Sequence, residues 1–472
     1  MGYMHGQHSN FKLTILLIGC VLIVLPIFFE RLHSDEVLYW DISNNLFKGK
    51  GLLSGIDNRP FIGHMPLPFV LAAPFSSLGE HIYTVRFVAA LFTIGCAVLI
   101  FLISQSLYSQ NVAFISSLLF LTSFQALRFG GRFYLDQFGA FFFLLAVFLL
   151  LKKRYLLTGL FAALMILGRE YWLGVYPFFI IYLLMKKEPI TTFVLPFIII
   201  LLGGVFYAAS TVGLTYFYQS QAIINTLKHY LNLSFLQENA VSLFKSWLEV
   251  LIVNVLTFVG FFYAWTSLKE NKLWFLVLPQ FVVVSMIYGF IVNGGVTQYP
   301  LGLVASMSIF AGHGLHRIWN GFPPILRYQK YFVPVVLVMI AFQFIGLNIV
   351  ATKVTLHQNW GIWGFGYKDD AEIISLLREK AAGEYIHGIH GAFVEDRSRW
   401  SWTDFGVQQA IHEEPDWLIT FDNYVRFIQP EENSLKVEIY HIGPYLVLHS
   451  HPRGHLSELI AQTDFPKWRF RK

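Results

Sequence analysis

Charge is scarce in this chain. Only 13% of its 472 residues are Asp, Glu, Lys or Arg, against about a quarter in ordinary soluble domains. A water-facing surface of the usual kind cannot be built from that supply, which excludes a soluble globular protein. Cysteine is scarcer still. Cys20 and Cys96 both lie inside apolar runs, so they read as packing residues and imply neither a disulfide framework nor a metal cluster. A large positive excess is missing too: a formal net charge of +5 does not mark a nucleic-acid binder. What is abundant is apolar and aromatic. The chain is 55% hydrophobic, with 47 Phe, 23 Tyr and 12 Trp and a mean hydropathy of +0.54, which suits a lipid-facing surface with aromatic belts. The expectation is a polytopic α-helical membrane protein.

A span needs about 20 mostly apolar residues. About eleven segments approach this: 11–29, 82–104, 112–127, 136–151, 155–168, 171–185, 190–212, 242–266, 273–292, 298–315 and 331–350. The first has no small-residue cleavage site after it and reads as a retained span rather than a signal peptide. With the N-terminus inside, the inner connections are 108–110, 152–154, 186–188, 269–272 and 316–330. They carry Lys152, Lys153, Arg154, Lys186, Lys187, Lys269, Lys272, Arg317, Arg327 and Lys330, as the positive-inside rule asks. Two spans at 155–185 keep all of them on one side; a single span there would scatter them.

The outer side then receives the first loop, 30–81, the loop RFGGRFYLD at 128–136, the turn GRE at 168–170, and the tail from about 351. The tail opens WGIWGFGYKDDAEIISLLREKAA, an aromatic belt followed by an amphipathic helix with Ala371, Ile374, Leu377 and Ala381 at helical spacing. Strand-like runs follow: EYIHGIHGAFVE, DWLITFD, SLKVEIYHI and PYLVLHS. The expected organisation is a membrane domain over 1–350, including the loop 30–81, and a small soluble α/β domain over 351–472 on the outer face, within ordinary domain size.

On this topology Asp35, Glu36, Asp41, Arg59, His64, Arg86, Arg128, Arg132, Asp136, Arg169 and Glu170 share one membrane depth, although they come from four places in the sequence. Ionisable groups near a bilayer are costly and tend to face a cavity or each other. Arginines hold a phosphate bidentately, and a carboxylate can take a proton from a nucleophile. A lipid phosphate at that depth, such as a polyprenyl phosphate, fits such a cavity. In HSDEVLYWDISN, 33–44, Asp35 and Tyr39 are one helical turn apart, as are Glu36 and Trp40, and Leu38, Ile42 and Leu46 form an apolar face for the membrane surface. The next stretch, NRPFIGHMPLPFVLAAPFSSLGE, holds Pro60, Pro66, Pro68 and Pro74. These forbid a simple span and point to an interfacial segment.

One order of elements is specific: a span, D-E-x-x-Y-W, a juxtamembrane loop with His64-Met65-Pro66-Leu67, a short apolar stretch ending in L-G, and Arg86 opening the second span. It resembles the polyprenyl-phosphate-sugar-dependent glycosyltransferases of the type-C fold, in particular the protein O-mannosyltransferase and lipid A aminoarabinose transferase group. RFYLD at 132–136 resembles that family's second outer-loop acidic motif, and GREYW falls where the family has a basic residue contacting the lipid phosphate. The layout matches over nearly all of 10–350, the motifs over about 1–175. Two positions depart from the pattern: Met65 stands at the first proline of the family's P-P-L element, and Gln298 precedes Tyr299 where a basic residue is usual.

The resemblance implies sugar transfer from a polyprenyl-phosphate-linked donor to a protein, lipid or glycan acceptor on the outer or lumenal face, by direct inverting displacement. Asp35 would act as base, with Glu36 orienting it or the acceptor. Arg86 and Arg169, with His64 and Arg132, would stabilise the departing lipid phosphate, and Asp136, Glu170, Tyr39 and Tyr299 would complete the donor site. No cofactor is expected, and no carboxylate cluster calls for a divalent ion. Expected partners are the lipid-linked donor, the acceptor and membrane lipid, with no nucleic acid, in a prokaryotic plasma membrane.

Simpler readings stand beside these. Ser34 could cap a helix, with Asp35 and Glu36 complementing its dipole. Asp136 could pair with Arg132. Arg86 and Arg169 could snorkel at span ends, and His64 could be an interfacial histidine. Asn232-Leu233-Ser234 matches a glycosylation sequon. The tail histidines His387, His390, His441, His449, His451 and His455 lack regular ligand spacing and read as a solvated surface. A transporter or flippase is the alternative function, but it would show repeats and charges at the midplane. A non-catalytic scaffold with a partner-binding outer domain is the third.

Overall fold

Within lipid every backbone polar group has to be satisfied inside its own segment, so apolar runs fold as helices. The computed structural model of the chain shows this. It describes residues 2–28, 34–53, 64–76, 78, 82–212, 233–270, 277–290, 298–321, 331–354, 367–381, 384, 386–388, 400–402, 416–421, 437–443 and 445–450. The chain divides into two compact units, Met1–Ile27 with Phe61–Trp363, and Phe28–Pro60 with Gly364–Lys472.

In the first unit α1 (Gly2–Val24) runs on as a 3-10 turn, Leu25–Phe28. The second unit contributes α2 (Ser34–Phe47). The first then continues with α3 (Leu67–Ser76), α4 (Tyr83–Leu107), α5 (Gln110–Leu121), α6 (Phe124–Phe129), α7 (Asp136–Leu151) and α8 (Tyr155–Gly168). A 3-10 turn, Glu170–Gly174, leads to α9 (Tyr176–Lys186) and α10 (Ile190–Val212). The unit closes with α11 (Leu233–Val253), α12 (Val255–Glu270), α13 (Leu278–Phe290), α14 (Leu301–Gly321) and α15 (Phe332–Val354). Small residues let these helices approach closely, as expected where packing rather than water drives association. Gly314 of α14 faces the Gly260 carbonyl of α12 so tightly that any side chain there would overlap it.

Among the described residues helices therefore stand where the eleven runs were read, but three of the runs are broken: 171–185 begins in the 3-10 turn and becomes α-helical at Tyr176. The run 112–127 divides at Thr122, and Ser123 caps α6 by accepting the Ala126 N–H at 3.3 Å. The run 242–266 bends by 96° at Asn254. Side-chain amides satisfy the backbone there: Gln343 accepts the Leu256 N–H at 2.9 Å, and Asn254 Nδ2 donates to the Val250 carbonyl at 3.0 Å, while Gln125 Oε1 holds the Asn254 amide at 2.8 Å. Among the described residues, two helices, Tyr83–Leu107 and Ile190–Thr211, are long and apolar enough to cross a membrane, or three if the bent pair counts as one.

In the second unit α2 is buried on most of its circumference, at Glu36, Tyr39, Trp40, Asp41, Ile42, Ser43 and Asn45, rather than on the single apolar face that Leu38, Ile42 and Leu46 suggested. The tail opens with α16 (Tyr367–Lys380). Its buried stripe is Ile373, Leu377 and Ala381, while Ala371 is exposed and Ile374 half-buried, one position round from the expected face. Five strands follow: β1 (Ile386–Gly388), β2 (Trp400–Trp402), β3 (Trp417–Phe421), β4 (Val437–Ile442) and β5 (Tyr445–Ser450). They form one sheet of order β2-β1-β3-β5-β4, parallel at β1 and antiparallel across β3, β5 and β4. Strand β2 was not read from the sequence.

Candidate functional site

The site in the first unit is set by the junction of α7 and α8. Helix α8 stops at Gly168, and Arg169 leaves it in extended backbone, φ −160° and ψ 116°. Asp136 opens α7, where a negative charge complements the helix N-terminus. Arg169 is only 4% exposed. Its Nε lies 3.6 Å from Asp136 Oδ1 and its Nη1 3.6 Å from Glu170 Oε1. His64 Nδ1 is 2.9 Å from that Glu170 oxygen and 2.7 Å from Arg169 Nη1. His64 Nε2 also lies 3.1 Å from Arg169 Nη1, so an imidazole with its proton on Nδ1 donates to Glu170 and accepts from Arg169 through Nε2. Burial would push the Glu170 carboxyl up, but the charges of His64 and Arg169 and the His64 hydrogen bond outweigh it and hold the group at about 2.

Aromatic rings complete the surroundings. The Tyr171 hydroxyl donates to Asp136 Oδ1 at 2.7 Å. The rings of Tyr171 and Tyr299 lie 5.6 and 5.7 Å from the Arg169 guanidinium carbon, within cation–π range. Trp172 is fully buried and stacks on Tyr171 and Phe143. A methyl group at Gly139 of α7 or Gly302 of α14 would overlap its indole, so these two glycines are what admit it. A small crevice of about 10 Å³ lies beside Tyr171 and Tyr299, with Gln280, Val283 and Leu303 among its other walls.

Of the residues expected from the sequence, His64, Asp136, Arg169, Glu170 and Tyr299 therefore meet. Asp136 binds Tyr171 and faces Arg169 rather than pairing with Arg132. Arg86 is fully buried, and its Nη1 donates to the Ile27 carbonyl at 2.9 Å, which ties α4 to the end of the first helical segment. Arg128 and Arg132 are buried, and Gln137 Nε2 donates to the Arg132 carbonyl at 2.6 Å. In the second unit Asp35 and Glu36 lie in the first turn of α2. Glu36 and Tyr39 are buried, while the Asp35 side chain lies outside the described residues, as do Arg59, Asn232, His390, His451 and His455. Sequence reasoning missed Tyr171 and Trp172. The signal was their place directly after Arg169-Glu170 in GREYW. Among the described residues no group of three or more His, Cys, Asp or Glu is placed to hold a metal ion.

The helical architecture is that of the type-C glycosyltransferases. Residues 63–216 match the family described as dolichyl-phosphate-mannose-protein mannosyltransferase, a stretch that holds His64, Arg86, Arg132, Asp136, Arg169, Glu170 and Tyr171. Among solved structures, ArnT from Cupriavidus metallidurans in the apo state is similar at a TM-score of 0.63 and 10% identity, over 94% of this chain and 98% of that one. The same protein bound to undecaprenyl phosphate matches at 0.61 and 12%, over 93% and 98%. The oligosaccharyltransferase AglB from Archaeoglobus fulgidus, in complex with an inhibitory peptide and a dolichol-phosphate, matches at 0.55 and 11%, over 88% and 70%. No curated protein matches by sequence.

Proposed function

We propose that this protein is an integral membrane glycosyltransferase. It transfers a sugar from a polyprenyl-phosphate-linked donor to a protein, lipid or glycan acceptor, with inversion at the anomeric carbon. The observation that carries the reading is Arg169: a buried guanidinium near two tyrosine rings, beside His64, Asp136 and Glu170, within the stretch that matches the mannosyltransferase family. A permanently charged, fork-shaped donor fits a phosphate. The undecaprenyl phosphate in one structure of ArnT supports a lipid phosphate as the ligand class. Nothing in the fold or the matched family favours a transporter.

In this reading the acceptor hydroxyl oxygen attacks the anomeric carbon and its proton passes to Asp35. The bond from that carbon to the phosphate oxygen breaks, and the electron pair leaves with the polyprenyl phosphate. Arg169, with Arg86, Arg132 and His64, stabilises the charge that grows on the leaving group. Glu36 orients Asp35 or the acceptor. The site opens to the outer face of a prokaryotic plasma membrane, and the domain over 351–472 lies on that side and helps select the acceptor.

The test is release of free polyprenyl phosphate from a panel of polyprenyl-phosphate sugars by the purified wild type, Asp35→Asn and Arg169→Ala, with a membrane extract as acceptor. Turnover that collapses in both variants is expected. No turnover by a folded wild type with any donor would reject the reading. Turnover that survives in Asp35→Asn would keep the enzyme and remove Asp35 as its base.

A further inference from the structure

We infer that the end of the helix bundle remote from Arg169 holds an anionic phospholipid, whose headgroup phosphate bridges the turn between α7 and α8 and the turn between α9 and α10. This rests on the reading of the chain as a membrane protein and not on the sugar transfer proposed above.

Packing brings the two turns together. Helix α8 separates the first turn from Arg169 by 14 residues, about 20 Å of helix. Helices α8 and α10 meet so closely that a methyl group at Gly159 would overlap the Phe193 carbonyl. At the end of this contact Lys153 Nζ lies 3.3 Å from Glu188 Oε1, and the Tyr155 hydroxyl donates to the same carboxylate. The turn Lys152-Lys153-Arg154 is thus a neighbour of Lys186 and Lys187. Within 148–168 and 176–196 Glu188 is the one acid, and Lys153 already occupies it. The rest of the positive charge is held together without a counter-ion from these segments. Lys152 and Lys186 lie over the rings of Phe148 and Tyr182, at 5.6 and 5.9 Å. Arg154 and Lys187 are exposed, and among the described residues their side chains have no hydrogen-bond or ion-pair partner. Lys153 and Lys187 also take the left-handed backbone, at φ 58° and 55°, where glycine is the usual residue. Both turns therefore carry a cation at the position where the backbone favours glycine.

The surface beside the charges selects a lipid. On the same helices the exposed side chains next to the turns are apolar: Leu156 and Leu157 on α8, Leu184 on α9 and Leu195 on α10. A phosphate on the cations with acyl chains along these leucines uses both surfaces, and basic pockets between membrane helices suit anionic headgroups in this way. A soluble anion would use only the charges.

The experiment uses the full-length protein in dodecyl maltoside micelles. It is titrated with dioleoyl phosphatidylglycerol, with net-neutral dioleoyl phosphatidylcholine as control, and bound lipid is counted by native mass spectrometry. Three double variants are compared with wild type. Arg154→Gln with Lys187→Gln removes two charges from the patch. Arg154→Lys with Lys187→Arg keeps both. Lys48→Gln with Lys50→Gln removes two exposed lysines from the second unit. Wild type is expected to bind phosphatidylglycerol about tenfold more tightly than phosphatidylcholine, the scale of two cations at a headgroup. Arg154→Gln with Lys187→Gln should lose most of that preference at an unchanged thermal midpoint, and the other two variants should keep it. A folded wild type without the preference, or a preference that survives Arg154→Gln with Lys187→Gln, would overturn the inference. So would an equal loss in Lys48→Gln with Lys50→Gln, which would mark diffuse attraction rather than a site. Displacement of the lipid by millimolar inorganic phosphate would make the patch a site for a free anion and overturn the lipid as its occupant. A lipid preference that holds in a protein releasing no polyprenyl phosphate would support this inference and reject the sugar transfer alone.

Discussion

Among the described residues two histidines sit against glutamates, in different company. His64 lies 2.9 Å from Glu170 in the first unit, and His449 lies 3.3 Å from Glu384 in the second. Around His64 the neighbouring charge is Arg169, which is buried, and two carboxylates face it from different elements. Around His449 the sheet supplies two of the described partners. Trp417, its paired residue on β3, stacks face to face on it at 4.0 Å, and Glu438, its paired residue on β4, lies 3.7 Å away. The Trp417 indole donates to Glu384, and Lys380 stands 3.9 Å from Glu438. The residue types are alike. What differs is burial and a buried guanidinium: the first cluster keeps Arg169 out of water, where each interaction is strong, and the second is a partly wet network with its lysine exposed.

The sharpest way to break this comparison is at Arg169. Arg169→Ala should lower turnover by roughly 10²–10³, as for loss of one donor aimed at developing charge, and Arg169→Lys should not restore it, because a point charge cannot replace the fork. Two carboxylates left without their cation should also lower the thermal midpoint. Polyprenyl phosphate release and thermal unfolding of the purified variants check both. Activity close to wild type in Arg169→Ala would make the buried cluster no more functional than the one around His449.

Glu170 gives a pH test. Its value of about 2 in the folded chain is below the ordinary 4.5, so the stability it contributes is fully present above pH 4.5 and is lost as pH falls towards 2. The shift corresponds to about 3 kcal/mol at most. The wild type should therefore lose stability more steeply than Glu170→Gln over that window, as read by unfolding midpoints. Glu438 is also lowered, first by its Tyr440 hydrogen bond, against burial and with help from Lys380 and His449. At 60% side-chain exposure its substitution by Gln should alter the acid limb far less. Similar acid limbs for the two variants would erase the contrast.

Gly302→Ala sharpens it through packing. The added methyl overlaps Trp172, whose ring stacks on Tyr171, so overpacking should cost about 1–3 kcal/mol. Turnover should fall with it, because Tyr171 reaches both Asp136 and Arg169. A thermal midpoint that falls with the donor KM unchanged would separate the indole from the site.

Much of the fold was legible. Apolar length located the helices, and α7, α8 and α10 begin and end where the runs 136–151, 155–168 and 190–212 were read. Clean turn residues such as Lys152-Lys153-Arg154 and Arg169 marked those ends. The breaks at Ser123 and Asn254 were not legible, because hydropathy sums over a polar residue inside an apolar run. What holds the Asn254 break, Gln125 and Gln343, lies far away in sequence. Strand β2 was missed for want of length: Trp400–Trp402 gives three residues and no alternation. At the site the charged members were visible as rare charges at span ends. Tyr171 and Trp172 were hidden among 82 aromatic residues, and only Gly139 and Gly302 on other helices reveal that one indole is wedged there.

The smallest effect is expected at His449. In His449→Phe the flat ring remains to stack on Trp417, and strand pairing is untouched because β5 bonds through its backbone. The substitution removes the ring nitrogens from Glu384 and Glu438. Glu384 keeps the Trp417 indole and Glu438 keeps the Tyr440 hydroxyl and Lys380. Partly exposed ion pairs of this kind contribute about 0–1 kcal/mol, so the unfolding midpoint should move little, and polyprenyl phosphate release should stay at the wild-type rate. His64→Phe should do the opposite: it leaves Glu170 with Arg169 at 3.6 Å as its partner and places an apolar ring against two buried charges. If release fell equally in the two variants, the tail would have to share in turnover, and a buried guanidinium would no longer explain why one cluster works and the other only holds its sheet.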